Sequence, residues 1–423
     1  MSRIPSGYPQ GQEGLEGKGK QLEELRLARA SLLRAIEPQD QLASLLVSSM
    51  GAVALADLIK QEGEPTDQQL AGLRELIYQQ LGQEASAFEK ILPQRLSLWR
   101  RRVRLLSPEQ EAQMARSCSA WLAIPEDPDW PPALEDLGDM APLGLWGRGQ
   151  RQLLRILAQQ PGPALVGSRD ISPYGSSATA HLASDLALKG FTIISGGAFG
   201  VDACAHRSAL AQGRGALPTL ALMAGGLDRL YPRGNEQLLQ DIIDRGLVLS
   251  ERPLGQRPTR YGFLQRNRII AALASCLIVV EARWRSGALN TAHHALEMGR
   301  PVYAVPGPIF APTSEGCHRL IREGLASLIT DASQLDLGPL QLDLLEESSL
   351  LEAGQTQQRP EDQLSESQRI IWDALGLGQG RSLEDVALAT GASNRLLLVT
   401  LSQLEQLGLA RRTELGWAKG RKG

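Results

Sequence analysis

Cysteine is scarce, and none of it is paired in sequence. Cys118, Cys204, Cys276 and Cys317 form no CxxC motif, and the five histidines share no zinc-like spacing with them. This argues against the common structural zinc sites and leaves free, mostly buried thiols, as expected of a reducing compartment. Long apolar runs are also missing: none reaches the roughly 18 residues read as a membrane-spanning helix. With no signal peptide ahead of the helical N-terminus, a cytoplasmic protein is expected. No GxxxxGK[ST] stretch occurs, so the mononucleotide phosphate loop is absent. The first glycine turn lacks GxGxxG, so no dinucleotide site is defined. A net charge of −3 argues against a protein that coats DNA with uniform basic charge.

Apolar residues make up 43% of the 423, enough core for two or three domains. The chain is organised around residues 164–310. Ala164–Val166 is a short apolar run that stops at Gly167, and Tyr174–Lys189 has helical spacing with Gly190 as its stop. A second strand, Phe191–Ile194, ends in Ser195-Gly196-Gly197, and a helix follows from about Asp202 to Ala211. Repeated strand, glycine turn and helix is the pattern of a parallel α/β sheet, whose ligand sits at the carboxyl ends of the strands. Further strands are expected at Thr219–Met223, Gly246–Ser250, Cys276–Val280 and Val302–Val305, with helices at Asn235–Asp244, Arg266–Ala274 and Leu289–Met298. Leu277–Val280 is the most continuous apolar strand and is expected to be central.

Around this core, residues 1–18 are Gly-rich and polar and are expected to be disordered. Residues 19–120 read as a helical N-terminal domain, with Leu and Ala at three- and four-residue spacing. Its Arg100, Arg101, Arg102 and Arg104 form either a solvated helix face or a phosphate contact. Residues 121–335 hold the α/β domain and its entry segment, where four prolines from Pro125 to Pro132 forbid a regular helix. Residues 336–362 read as a linker. Residues 363–423 form a small domain: helices at Glu366–Leu375, at Leu383–Thr390 behind the N-cap Ser382, and at Asn394–Gln406, then a hairpin. That order is a winged helix-turn-helix plan, yet its third helix carries one basic residue, Arg395. DNA-reading, protein-binding and structural roles therefore stay open.

Gly167, Gly175, Gly196, Gly197, Gly200, Gly225 and Gly226 fall in strand-terminal loops. Lacking a Cβ, such loops let backbone N–H groups converge on an anion, and helix N-termini add partial positive charge. Tight turns and close packing are the other reading. Three further pieces sharpen the first: Gly167-Ser168-Arg169, Arg266-Asn267-Arg268 at an expected helix start, and Ser286-Gly287 opening another helix. With Ser195, they would surround one groove with donors. Between 161 and 331, sixteen arginines and one lysine face thirteen carboxylates. Arginine's planar fork suits phosphate and base edges, although an Arg-rich genome would give the same bias. Carboxylates near the groove are few: Asp202, Asp228, Glu251 and Glu281, of which Asp202 and Glu251 are expected to orient arginines. His206 reads as a packed supporting residue rather than a base. No cofactor or metal is implied.

These residues carry a resemblance. VGSR at 166–169, SGGAFGVDACAH at 195–206, GGLDRLYPRGN at 225–235, LSERPLG at 249–255, FLQRNRII at 263–270, VVEARWRSGALNTAHHALEMGR at 279–300 and VYAVPG at 302–307 agree in order and spacing with the bacterial DNA-processing protein A (DprA/Smf) family. The resemblance implies an extended Rossmann-like domain that binds single-stranded DNA without catalysis. It implies a protein that protects incoming DNA in natural transformation, helps load the RecA recombinase and works as a homodimer. It places Arg169, Arg266 and Arg268 on the DNA-facing signature. The chain departs from the family's usual choices at Phe199, Leu264, Gln265 and His318.

Two other readings compete. Related folds cleave nucleoside monophosphates with a PGGxGTxxE signature, but the matching run here is AGGLDRLYP and Glu281 lies outside any such frame. A duplex-binding regulator would use the small C-terminal domain, whose third helix is poor in basic and amide side chains.

Overall fold

The computed structural model of the chain describes residues 11–64, 66–82, 85–212, 215–337, 366–376, 380–390, 392, 394–413 and 415–420. The chain divides into two compact units, Met1–Leu342 and Asp343–Gly423. Of the tail read as disordered, 1–10 lie outside the described residues, and 11–18 belong to a helix. Of the stretch read as a linker, 338–362 also lie outside them.

The first unit begins with six helices: α1 (Gly11–Ala35), α2 (Gln41–Met50), α3 (Ala52–Lys60), α4 (Asp67–Leu81), α5 (Ala85–Val103) and α6 (Pro108–Ser117). Reciprocal capping boxes, Thr66 with Gln69 and Ser107 with Gln110, start α4 and α6. Helix α1 buries two faces. Ala28, Leu32 and Ala35 pack into a helical core with Leu46, Leu55, Ile77 and Trp99, whereas Ala30 and Leu33 pack into the core beneath the sheet. Arg26 and Arg29 reinforce that second contact through Asp127 and Glu126, at 2.5 and 2.6 Å. Of the Arg100–Arg104 cluster, Arg100 is buried rather than solvated. It donates to the Gly63 and Leu58 carbonyls and to Gln69, so it closes the end of α3. Among the described residues, no single helix is long and apolar enough to cross a membrane.

The sheet has nine strands: β1 (Trp121–Ala123), β2 (Leu145–Gly149), β3 (Ala164–Val166), β4 (Ile193–Ser195), β5 (Thr219–Met223), β6 (Leu247–Ser250), β7 (Leu277–Val279), β8 (Val302–Ala304) and β9 (Ser327–Leu328). Their order is β1-β2-β6-β5-β4-β3-β7-β8-β9. The sheet expected to be parallel is mixed: β6 to β9 run parallel, but β2 pairs antiparallel with both β6 and β1. Gly147 stands opposite Trp121, and a Cβ there would lie 2.3 Å from the indole, so this edge is built around the ring. Nor is β7 central. It is an interior strand between β3 and β8, and the middle of the nine is β4.

Helices α7 (Leu154–Gln159), α8 (Pro173–Leu188), α9 (Val201–Gln212), α10 (Glu236–Arg245), α11 (Arg260–Leu273), α12 (Gly287–Glu297) and α13 (Glu315–Arg322) connect the strands. Successive strand residues feed opposite faces. Ala164, Val166, Leu277 and Val279 join the core that includes Ile269–Leu273 of α11, whereas Leu165 and Ile278 join the core under α8 and α9. Helix α11 begins six residues before the expected Arg266, because the Thr259 hydroxyl caps the Gly262 N–H at 3.0 Å. Arg266 therefore sits inside the helix and not at its start.

The second unit contains α14 (Glu366–Asp373), α15 (Leu383–Thr390) and α16 (Asn394–Gln406), then the antiparallel pair β10 (Ala410–Thr413) and β11 (Gly416–Lys419). Ser382 caps α15, accepting the Asp385 N–H at 3.1 Å. Ile371, Val386, Leu397, Leu401 and Trp417 form its core.

Candidate functional site

The order of the parallel strands reverses at β3 and β7, which are neighbours. Chains leaving their carboxyl ends cross to opposite faces of the sheet and leave a crevice between them. A cleft of about 590 Å³ opens there. The β3 loop supplies Gly167, Ser168 and Arg169, the β4 loop Ala198, helix α11 Arg266 and Asn267, and the start of α12 Ser286 and Gly287.

Five arginines line this cleft: Arg169, Arg260, Arg266, Arg283 and Arg285. Asp202 is the one carboxylate among its lining residues. Arg169 is exposed, and its guanidinium lies over the Phe263 ring, 4.6 Å from the centroid. Phe263 in turn meets Tyr231, with ring centroids 6.1 Å apart. Arg260 and Arg285 are exposed, and Arg283 reaches Asp170 at 2.9 Å.

Most of the loop glycines serve close packing. Gly200 has φ +77°, and a Cβ there would lie 2.1 Å from the Ser168 carbonyl, which accepts the Val201 N–H at 3.1 Å. The β3 and β4 loops are thereby joined. A Cβ at Gly196 would lie 2.0 Å from Arg266 Nη1, at Gly175 2.4 Å from the Glu281 carboxyl, and at Gly167 2.5 Å from Val201. Gly197 (φ +66°) backs onto Leu239, and Gly225 and Gly226 crowd Pro258 and the Pro253 carbonyl. Gly287 is different, because nothing lies within 4 Å of its Cβ position. The Ser168 hydroxyl serves its own turn through Asp170, Ser195 donates to the Leu165 carbonyl, and Ser286 caps α12.

Arg266 and Asp202 form the buried floor. Arg266 Nη1 donates to the Leu222 carbonyl at 2.6 Å. Burial, and secondarily the Arg169 charge, lower its pKa to about 10, against the pull of Asp202. Burial raises the Asp202 carboxyl, opposed by Arg266 and by a hydrogen bond from the Ala198 N–H. Asn267 reaches the Gly287 carbonyl at 3.3 Å and Asn290 at 3.2 Å, so it braces α11 against α12. His206 is fully buried, with Nδ1 2.7 Å from the Thr219 hydroxyl. Thr219 spends its proton on the Ile193 carbonyl, so His206 Nδ1 is the donor. Burial, then the charges of Arg266 and Arg207, hold its pKa down to about 3.

The structure does not bring Arg268 to the cleft. Two residues along a helix turn the side chain by about 200°, so Arg266 and Arg268 point apart. Arg268 is fully buried, forms a two-pronged pair with Glu251 at 2.7 and 2.9 Å, and donates Nε to the Met140 carbonyl at 2.9 Å. Glu251 is thus the partner of Arg268. Glu281 is likewise withdrawn: it accepts from Ser172 N (3.0 Å), the Ser172 hydroxyl (2.5 Å) and the Thr313 hydroxyl (3.1 Å). These bonds tie Glu281 to the turn before α8 and to the segment after β8.

Sequence reading gave no role to Arg260, Phe263, Tyr231, Arg283 or Arg285. The last two flank Trp284 just before the Ser286 cap, a basic-aromatic signal that was available. Asn235 was also missed. It is buried and holds the β4 loop by donating to the Gly197 and Ala198 carbonyls, both at 3.1 Å.

Fold and cleft together define an α/β protein of the doubly wound kind, with an arginine-lined, aromatic-edged crevice at its switch point that can hold a polyanion. The family model for DNA recombination-mediator protein A matches residues 121–336. A Mycobacterium tuberculosis protein named as DNA processing protein DprA is 34% identical over 405 residues, covering 92% of this chain and 93% of that one. DprA of Streptococcus pneumoniae is 40% identical over 209 residues, which is 49% of this chain and 71% of that one. Its crystal structure superposes with a TM-score of 0.56 at 30% identity, covering 72% of this chain and 94% of that one. The chain belongs to the DprA/Smf family of bacterial DNA processing proteins. That family binds DNA without catalysis, and the chain is not an enzyme.

Proposed function

We propose that the protein binds single-stranded DNA in the cleft at the ends of β3 and β7, protects it, and hands it to the RecA recombinase during DNA uptake and natural transformation. One observation carries this reading: five arginines face one buried carboxylate in a cleft edged by Phe263 and Tyr231. Arginine forks suit phosphate oxygens, and ring faces stack on any base, so the combination favours a single strand of any sequence. The cleft offers few base-reading amides, Asn267 being tied to Asn290. RecA loading, a homodimer built through the α/β domain and a cytoplasmic location are inferred from family membership. The second unit's three helices and hairpin follow a winged-helix plan.

The test is a triple variant, Arg169→Ala with Arg260→Ala and Arg285→Ala, at exposed positions. It should lose on the order of 1,000-fold or more in single-strand affinity, because each of the three charged contacts contributes roughly 1.5–3 kcal/mol. The DNA should stay intact throughout. Unchanged affinity in a folded variant refutes the cleft. Cleavage that disappears in Glu281→Gln would favour a nucleotide-processing enzyme.

A further inference from the structure

A second and larger cleft, about 1170 Å³, lies beside the first and shares Tyr231 and Pro258 with it. A small pocket of about 40 Å³ shares Arg169 and Phe263 with the first cleft and Arg229 with the second. The walls of the second cleft come from the end of α6, the start of α10 and the loop after β6. Its charge is again lopsided. Arg148, Arg229, Arg233 and Arg257 line it, against Asp228 and Glu236.

Arg148 and Asp228 have identifiable structural duties. Arg148 is engaged with the Leu227 carbonyl and Gln240, at 3.3 and 3.4 Å. Asp228 accepts the Gly255 N–H at 2.6 Å and stands 3.8 Å from Arg229, so it braces the loop after β6. Arg229, Arg233 and Arg257 are exposed, and among the described residues neither Arg233 nor Arg257 is ion-paired. Like charges held on a concave wall repel one another and are relieved by a polyanion. The ridge between the two clefts is Tyr231, 46% exposed, with Pro258, an apolar surface over which a base can lie.

We propose that a DNA strand leaving the first cleft crosses the Tyr231–Pro258 ridge and continues in the second, with its phosphates on Arg229, Arg233 and Arg257. This rests on the proposed function of the first cleft. The strand occupies both clefts only when it is long enough, so its length separates the two sites.

The experiment measures anisotropy of labelled oligothymidylates of about 6 and about 20 nucleotides, spanning the range of single-strand site sizes. The full chain is compared with Arg229→Ser/Arg233→Ser/Arg257→Ser and with Arg169→Ala, each checked by thermal unfolding. If the triple variant does not fold, Arg233→Ser/Arg257→Ser replaces it. The triple variant should match the parent on the short strand and lose about 10-fold or more on the long one. Its log affinity against log salt should flatten by about 2, from three phosphate contacts at about 0.7 each. Arg169→Ala should weaken both lengths. Parent-like binding of the triple variant at both lengths overturns the continuation while leaving the first cleft standing. Equal loss at both lengths also overturns it, by placing these arginines in the first site. A loss confined to duplex DNA makes the second cleft a duplex site and overturns it too. If Arg169→Ala changes nothing, the first cleft falls and the continuation falls with it.

Discussion

The guanidinium of Arg169 lies over the ring of Phe263, 4.6 Å from its centroid, at the mouth of the arginine-lined cleft. The pair brings a cation for a phosphate and an aromatic ring for a base to the same point. Arg169→Ala should weaken single-strand binding by roughly 10- to 150-fold, the equivalent of about 1.5–3 kcal/mol. Phe263→Leu should lose about 1–3 kcal/mol of stacking. Because the two side chains touch, the double variant should lose less than the sum, and Arg169→Lys should recover only part. Equilibrium titration of the four variants and the parent measures this. Strict additivity would mean that the two groups serve separate contacts.

Arg268 should behave in the opposite way. Its two-pronged pair with Glu251 is buried, so Arg268→Ala leaves a carboxylate unpaired and should cost about 3–5 kcal/mol of stability. Arg268→Met combined with Glu251→Leu should recover much of that loss. Urea unfolding of the two variants and the parent decides it. A stable Arg268→Ala that binds DNA poorly would return this arginine to the cleft.

The buried His206 makes the fold acid-sensitive. Its folded pKa of about 3 lies below its ordinary 6.5, so between these values the unfolded chain binds the extra proton. The stability is complete above pH 6.5 and drains away as pH falls toward about 3, by about 2 kcal/mol from pH 6.5 to 5. Asp202, raised by burial, opposes this at the acid end, since its folded form takes up a proton more readily. Comparison of His206→Gln with the parent removes the Asp202 contribution. The variant should start less stable, having lost the packed ring, but show a shallower decline between pH 6.5 and 5. Parallel declines would remove His206 from the account.

Glycine substitutions separate packing from open space. Gly200→Ala meets both a left-handed backbone and the Ser168 carbonyl at 2.1 Å. Gly196→Ala would displace the Arg266 guanidinium, 2.0 Å away. Both should lower stability by roughly 1–3 kcal/mol or more, as strained backbones and overpacked sites do. Gly287→Ala, with nothing within 4 Å, should leave the melting curve unchanged and reports on DNA affinity alone. Thermal unfolding of the three checks the contrast.

These contrasts also show where the sequence was legible. Ala164–Val166 and Thr219–Met223 coincide with β3 and β5 because each apolar run is bounded by Gly, Pro or Ala-Gly punctuation. The β1–β2 edge was not readable as antiparallel, since strand direction is set by partners distant in sequence and not by Leu145–Gly149 itself. Strand β9 spans two exposed residues and leaves no hydrophobic signature. Starting α11 at Arg266 rather than Arg260 allowed Arg266 and Arg268 to be drawn into one site. Helical geometry forbids that once Thr259 is seen as the cap. Glycine-rich loops looked alike in sequence, yet a Cβ at Gly196 meets Arg266 while one at Gly287 meets open space.

The most direct test of the central claim is the affinity of the full chain for a single strand and for its duplex, of equal length and at matched ionic strength. The arginine cleft edged by Phe263 and Tyr231 predicts tighter binding of the single strand, little dependence on its sequence, and steep weakening with salt. It also predicts that this preference shrinks in Arg169→Ala. Equal affinity for the two forms, or a preference untouched by Arg169→Ala in a folded protein, would contradict it.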